Sequence, residues 1–194
     1  MQYVPKNFSI PELKGISKTT IDEHIKLYEG YVKNLNLILE NTVEQKDDAT
    51  ESYKDSETRR RISFEFDGMR NHEYYFSLLE GGPKTISESA LKDKIENQWG
   101  SFDAWLNNFK SLAKTRGIGW AMLSYDKHSD SLLNYWVDEQ HLGHLTGLSP
   151  IVALDMWEHS FVADYLPSGK GKYIDDFFEN INWSVAEENF SKSI

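Results

Sequence analysis

An aspartate and a histidine four residues apart, Asp155 and His159, stand with Trp157 between them directly after an apolar run, Ser149-Pro150-Ile151-Val152-Ala153-Leu154. The run holds two β-branched residues and begins just past a glycine, so it reads as a short buried strand that ends at Asp155. A carboxylate at the mouth of such a strand and an imidazole four residues on can converge on one point, as the ligands of a metal must. The plainer alternative is that Asp155 caps the following turn and His159 is a satisfied core histidine. The chain contains no cysteine, so any metal here is held by nitrogen and oxygen, and neither a thiolate site nor a disulfide framework is available.

The elements that position these groups are bounded by composition. A chain of 194 residues is long enough for one large domain or two small ones sharing a core, and six Trp, ten Tyr and ten Phe promise a ring-lined interior. A net charge of -10, with no basic run longer than Arg59-Arg60-Arg61, argues against nucleic acid as a partner. The same charge repels a small anionic substrate unless it is locally reversed. No stretch has the length of a membrane span and the N-terminus has no signal-peptide core, so a cytoplasmic protein without a membrane partner is the expectation.

Residues 1–16 read as an irregular arm broken by Pro5, Pro11 and Gly15. Thr20-Ile21-Asp22-Glu23 is a capping-box pattern and opens a helix through Asn36, on which His24, Tyr28, Tyr31 and Leu35 share a face. Residues 44–60, of mixed charge, read as a solvated connection and helix start. A second long helix carries Ile62, Phe66, Met69, Tyr75 and Phe76 and stops at Gly81-Gly82-Pro83, the natural boundary between domains at 1–83 and 84–194. Two amphipathic helices follow, 87–98 and 102–113. A glycine turn at 117–119 then enters one strand, 126–130 turns, and 132–137 returns as another. With the strand before Asp155 this makes a three-stranded antiparallel sheet, and a final helix spans 173–182. The fold class is α+β: an N-terminal helical hairpin, then a C-terminal domain with a three-stranded antiparallel sheet surrounded by helices.

Several segments, in order along the chain, resemble one known family. Asp155-Met156-Trp157-Glu158-His159-Ser160-Phe161 is similar to the D-x-W-E-H-A signature of the iron/manganese superoxide dismutases. Tyr31-Val32-Lys33-Asn34-Leu35-Asn36 resembles their Y-V-N-x-x-N, and Asn71-His72 with Tyr75-Phe76 their N-H-x-x-F-W. Gly117-Ile118-Gly119-Trp120 resembles their G-S-G-W, and Pro11-Glu12-Leu13, Trp99-Gly100-Ser101 and Asn180-Ile181-Asn182-Trp183 are likewise family-like.

The resemblance implies an enzyme that converts superoxide to oxygen and hydrogen peroxide with one iron or manganese ion per chain, ligated by His24, His72, Asp155 and His159. The family places its first ligand eight residues before the tyrosine, where this chain has Glu23; His24, at minus seven, is the choice, as one residue fewer follows from losing a π-type bulge. Glu23 is the alternative. Tyr31 is implied to line the access for superoxide, with Trp120 and Trp157 walling the site. A family glutamine or histidine donates a hydrogen bond to the metal-bound solvent from one of two places. Gly68, four before His72, cannot donate, which leaves His141, with Gln140 or His144 as alternatives. Asp155 as the one anionic protein ligand lets each electron be matched by a proton on the bound solvent, so that the buried charge stays constant.

Two departures stand out. The family's further helix-one histidine is replaced by Leu27 or Tyr28, and the tyrosine that meets it across a dimer is Val162. Glu158, which in the family reaches the other subunit's ligand histidine, is retained. A homodimer is therefore expected, or a tetramer, and a non-catalytic metal-binding or structural protein of the same fold is the competing function.

Overall fold

The computed structural model describes residues 2–43 and 53–194. Helix α1 (Lys18–Val43) and helix α2 (Tyr53–Leu79) lie against one another as a hairpin. The start of α2 falls within the stretch read as a helix start, while the connection at 44–52 lies outside the described residues. Ahead of α1 the arm is irregular, as its prolines require, and its backbone is satisfied by side chains of the hairpin. The amide of Tyr3 donates to Asn36 Oδ1 at 2.8 Å, that of Lys6 to Tyr28 Oη at 2.9 Å, and that of Lys14 to Asn180 Oδ1 at 2.9 Å.

After the glycine pair at 81–82, both at positive φ, come α3 (Ala90–Trp99) and α4 (Phe102–Ala113). Each is capped by a serine hydroxyl, Ser89 to the amide of Lys92 and Ser101 to that of Ala104. The cap at Ser89 explains why α3 begins later than the expected residue 87. Strands β1 (Gly119–Asp126), β2 (Ser131–Asp138) and β3 (Ser149–Asp155) form one antiparallel sheet in the order β2-β1-β3, with a register shift between β1 and β3 at Leu123/Ser124. β3 packs on α2 and on the last helix, while α4 covers β1 and β2 and α3 packs on β2.

A short 3-10 turn at Glu158–Ser160, a one-turn helix α5 (Val162–Tyr165) and a second 3-10 turn at Pro167–Gly169 lead into α6 (Lys170–Asn180). The expected final helix at 173–182 is thus α6, three residues earlier at its start, and it is not final. A further helix, α7 (Trp183–Ser193), buries Trp183, Ala186 and Phe190. Trp183 sits among Phe102, Trp105 and Phe178, and Phe190 stands edge-on to Tyr125 at 5.2 Å.

Candidate metal centre

Four elements each deliver one donor to a single buried point. α1 supplies His24, α2 His72, the last residue of β3 Asp155, and the 3-10 turn His159, and one ligand atom from each lies within 4.8 Å of the others. The sheet register sets the carboxylate: Asp155 pairs across the strands with Trp120, next to Gly119. Gly119 has φ 153°, and a Cβ there would meet the Val137 carbonyl oxygen at 2.0 Å, so only glycine admits this approach of β1 to β2.

Asp155 is fully buried, and its two oxygens are divided. Oδ1 accepts from the amide of Trp157 at 2.7 Å, which fixes the carboxylate plane. Oδ2 faces Nε2 of His24 at 3.0 Å, of His159 at 3.2 Å and of His72 at 3.5 Å. Two donors about 2.1 Å from a shared ion stand about 3.0–3.6 Å apart for angles between 90° and 120°, so this spacing fits a coordination shell.

The tautomer of His72 makes the case sharper. Its Nδ1–H donates to the Gly68 carbonyl at 2.5 Å, and burial, followed by the neighbouring His24, holds its pKa down to about 3 against Asp155 and Gly68. A neutral ring with its proton on Nδ1 presents a lone pair at Nε2, and that atom has no hydrogen-bond partner although buried. Two acceptors, Nε2 and Asp155 Oδ2, therefore face one another in a dry interior. That is costly without a cation between them, and a divalent or trivalent ion fits. Burial pushes the Asp155 carboxyl up, but His159 and His24 beside it more than offset this and hold it well below the usual carboxylate range.

Around the cluster, Trp120 is buried with its ring 5.0 Å from that of His72, and the half-buried Trp157 stacks on His159 at 5.7 Å. Tyr31 lies 5.1 Å from His72, ring to ring, over Gly68, where a Cβ would sit 2.6 Å from the tyrosine ring. Gly68 thus serves twice, as the platform for Tyr31 and as the acceptor for His72. His159 alone among the four is partly open, its side chain 23% exposed.

Of the sequence alternatives, Glu23 points into solvent, its side chain 66% exposed and paired with Lys26 at 2.6 Å, while His24 is buried in the cluster. α1 is continuous α-helix here, so His24, Tyr28 and Tyr31 lie on one face without a bulge. Of the three residues weighed as donor, it is the alternative Gln140 that lies bonded to the walls of the site. Gln140, fully buried, accepts from Trp120 Nε1 at 2.9 Å and donates from Nε2 to Tyr31 Oη at 2.9 Å. His141 is turned aside against Phe64 at 5.5 Å, and His144 Nε2 lies 3.2 Å from Asn71 Nδ2. The reason is the turn after β2. Asp138 and Leu142 exchange both backbone hydrogen bonds, and Glu139 takes φ 52°, so Gln140 projects inward from the turn. The paired Asp138 and Leu142 were not legible as a closed turn, which left the loop length open by one residue.

Tyr28 stands one turn from His24 and is buried, its hydroxyl accepting from Lys6 N and donating to Glu73 Oε1 at 3.2 Å. Glu73 is in turn held by Lys6 Nζ at 2.8 Å and Arg70 at 2.6 Å. The site's second tyrosine therefore looks away from the cluster and ties α1 to the arm.

A helical hairpin seated on a small sheet, with three imidazoles and one carboxylate at their junction, defines a class: a protein with a place for one hard or borderline cation held by nitrogen and oxygen. The family model of the iron/manganese superoxide dismutases' alpha-hairpin domain matches residues 11–80, and that of their C-terminal domain residues 87–189. The chain is 36% identical over 197 residues to the superoxide dismutase [Fe] of Aquifex aeolicus, covering 98% of this chain and 92% of that protein. It is 34% identical to the superoxide dismutase [Mn] of Haloarcula marismortui over 88% of this chain and 83% of that one. It is 32% identical to the superoxide dismutase [Fe] of Cupriavidus metallidurans over 94% and 92%. The chain belongs to the iron/manganese superoxide dismutase family.

Proposed function

We propose that this chain converts two superoxide anions and two protons into one oxygen and one hydrogen peroxide at a single iron or manganese ion held by His24, His72, Asp155 and His159. The observation that carries the ligand assignment is the facing of the His72 Nε2 lone pair and Asp155 Oδ2 at 3.5 Å, two buried acceptors that a cation reconciles. An iron or manganese ion held by these four side chains would supply the one-electron couple that the reaction needs. The chain supplies position, dryness and protons. Asp155 contributes one fixed negative charge, its plane locked by the Trp157 amide. Trp120, Trp157 and Phe76 exclude bulk water.

Tyr31 and Gln140 hold the protons at the access. Gln140 Nε2 has two hydrogens, of which Tyr31 Oη takes one and the other is free for solvent in the site. Because Tyr31 Oη accepts from Gln140, its own hydrogen remains available. Burial, then Asp155 and Glu65, push the Tyr31 hydroxyl well above its ordinary pKa, so it stays protonated at neutral pH and acts as a donor. A homodimer belongs to the same reading: Glu158 is exposed beside His159, lines the same surface pocket as Ile118, and would reach the partner's His159. A cytoplasmic location is part of the same proposal; among the described residues no helix is long and apolar enough to cross a membrane.

Metal analysis with a superoxide-consumption assay tests the proposal. Wild-type protein should carry about one iron or manganese per chain and consume superoxide. Asp155→Ala and His24→Ala should lose the metal and the activity, while Glu23→Gln keeps both. Full occupancy in Asp155→Ala would remove the proposed site, and metal without turnover in the wild type would make the chain a binding protein.

A further inference from the structure

A protein of net charge -10 repels a small anion at long range, yet superoxide dismutases are among the enzymes known to work near the diffusional ceiling, where arrival of substrate limits the rate. The structure places one cation on the line that leads out from the site. From the buried ring of His72 a line of contacts runs outward through Tyr31, at 5.1 Å, and Phe64, 6.0 Å further, to the guanidinium of Arg61, whose Cζ lies 3.4 Å from the Phe64 ring centroid. Phe64 also touches His141 at 5.5 Å, so its ring borders the access beside Tyr31.

Arg61 is paired with Glu65, Nε to Oε1 at 3.1 Å, but the two halves of the pair are not equally presented. The arginine side chain is 52% exposed and the glutamate 7%, so an arriving anion meets the cation first. We propose that Arg61 steers superoxide: held over Phe64 by a cation–π contact and pinned by Glu65, it makes the outer end of the Tyr31 path positive and raises the rate of substrate arrival. Its field reaches the site, since it opposes Asp155 and Glu65 at the Tyr31 hydroxyl. Lys170, on α6, is differently engaged, its ammonium donating to the Thr115 carbonyl at 2.6 Å and standing 5.5 Å from the Trp136 ring centroid.

The inference rests on the dismutase reading, and the experiment separates the two. On metal-loaded wild type, Arg61→Lys, Arg61→Ala, Arg61→Glu and Glu65→Gln, the readouts are metal content, kcat/KM for superoxide against ionic strength, and the Kd of azide by absorbance titration. Wild type and Arg61→Lys should be fastest at low salt and slow as salt screens the attraction. Arg61→Ala should lower kcat/KM roughly two- to threefold at low salt, and Arg61→Glu should lower it further and invert the salt slope. Glu65→Gln should be faster than wild type, and azide should weaken in the same order as the rates. Unchanged rates, salt slopes and azide affinities in Arg61→Ala and Arg61→Glu at wild-type metal content would overturn the proposal. Loaded protein that binds azide in the expected order but consumes no superoxide would remove the dismutase reading and leave Arg61 as an anion guide.

Discussion

The amide of Gln140 joins two groups at once: it accepts from the Trp120 indole and donates one of its two hydrogens to Tyr31. Removing it should therefore leave the ligands in place and change how tightly a proton is held beside the metal. One hydrogen bond to a charged group is worth about 1.5–3 kcal/mol, and 59 mV corresponds to a tenfold change for a one-electron couple, so Gln140→Ala should shift the reduction potential by roughly 60–130 mV. Spectroelectrochemical titration checks this; metal content should be unchanged and activity lower, while His141→Ala should leave the potential where it is. An unmoved potential in Gln140→Ala would remove the assigned role. At this scale most of the site was legible, because Asp155, His72 and His159 stand in strings whose residue types and spacing are specific. Glu23 against His24 was not decided by spacing. Neighbours on a helix point about 100° apart, so only one of them can face the cluster, and which one depends on how the whole of α1 is rotated onto α2.

Elements were legible where period and punctuation agreed. The turn at 126–130, the glycine pair after α2 and Trp99-Gly100-Ser101 ahead of α4 each mark a boundary that the backbone needs. α2 is a different case: it buries Asn71, His72 and Glu73 in succession, so its apolar period is weak, and its place was read from Ile62, Phe66, Met69, Tyr75 and Phe76 and from the glycine pair that ends it. α7 escaped because Ile181-Asn182 reads as an ending and only Trp183, Ala186 and Phe190 of its residues with clear apolar or ring character are deeply buried. α7 nonetheless packs on β3, and its Phe190 stands against the edge of Tyr125. Phe190 is 4% exposed, and its loss should cost about 3 kcal/mol or more, through lost transfer energy and the cavity left behind. Urea unfolding of Phe190→Ala measures this, with the metal per folded chain expected to stay at the wild-type value. A cost under about 0.5 kcal/mol would mean that α7 adds little to the fold.

For the molecule as a whole, the cluster is the place where the hairpin and the sheet are held by the same four side chains, so its ionisation is coupled to folding. His72, held to about 3 by burial and by His24, and His24, lowered first by its own burial, both remain neutral in the folded, metal-free chain at pH values where the unfolded chain, with ordinary histidines near 6.5, takes up protons. Between pH 6.5 and about 4 the unfolded state therefore binds more protons at position 72, and stability falls as pH falls, by up to about 1.4 kcal/mol per pH unit for His72, with His24 acting in the same direction. Asp155 does not act in this window: its folded value lies below the ordinary carboxylate range, so the stability it contributes is lost only at lower pH. Asp67 acts in the opposite sense, since burial raises it to about 6, and its folded form takes up a proton before the unfolded one does. That group is only about half buried, so solvent screening leaves it weaker than a histidine of the cluster. The net expectation for metal-free protein is a loss of unfolding free energy from pH 6.5 to 4.5 in urea titrations. Asp67→Asn should steepen that loss by removing the opposing group, and His72→Gln should flatten it. A flat profile in the wild type together with no change in either variant would mean that the histidines titrate alike in both states and that the cluster is not the dry site its geometry describes.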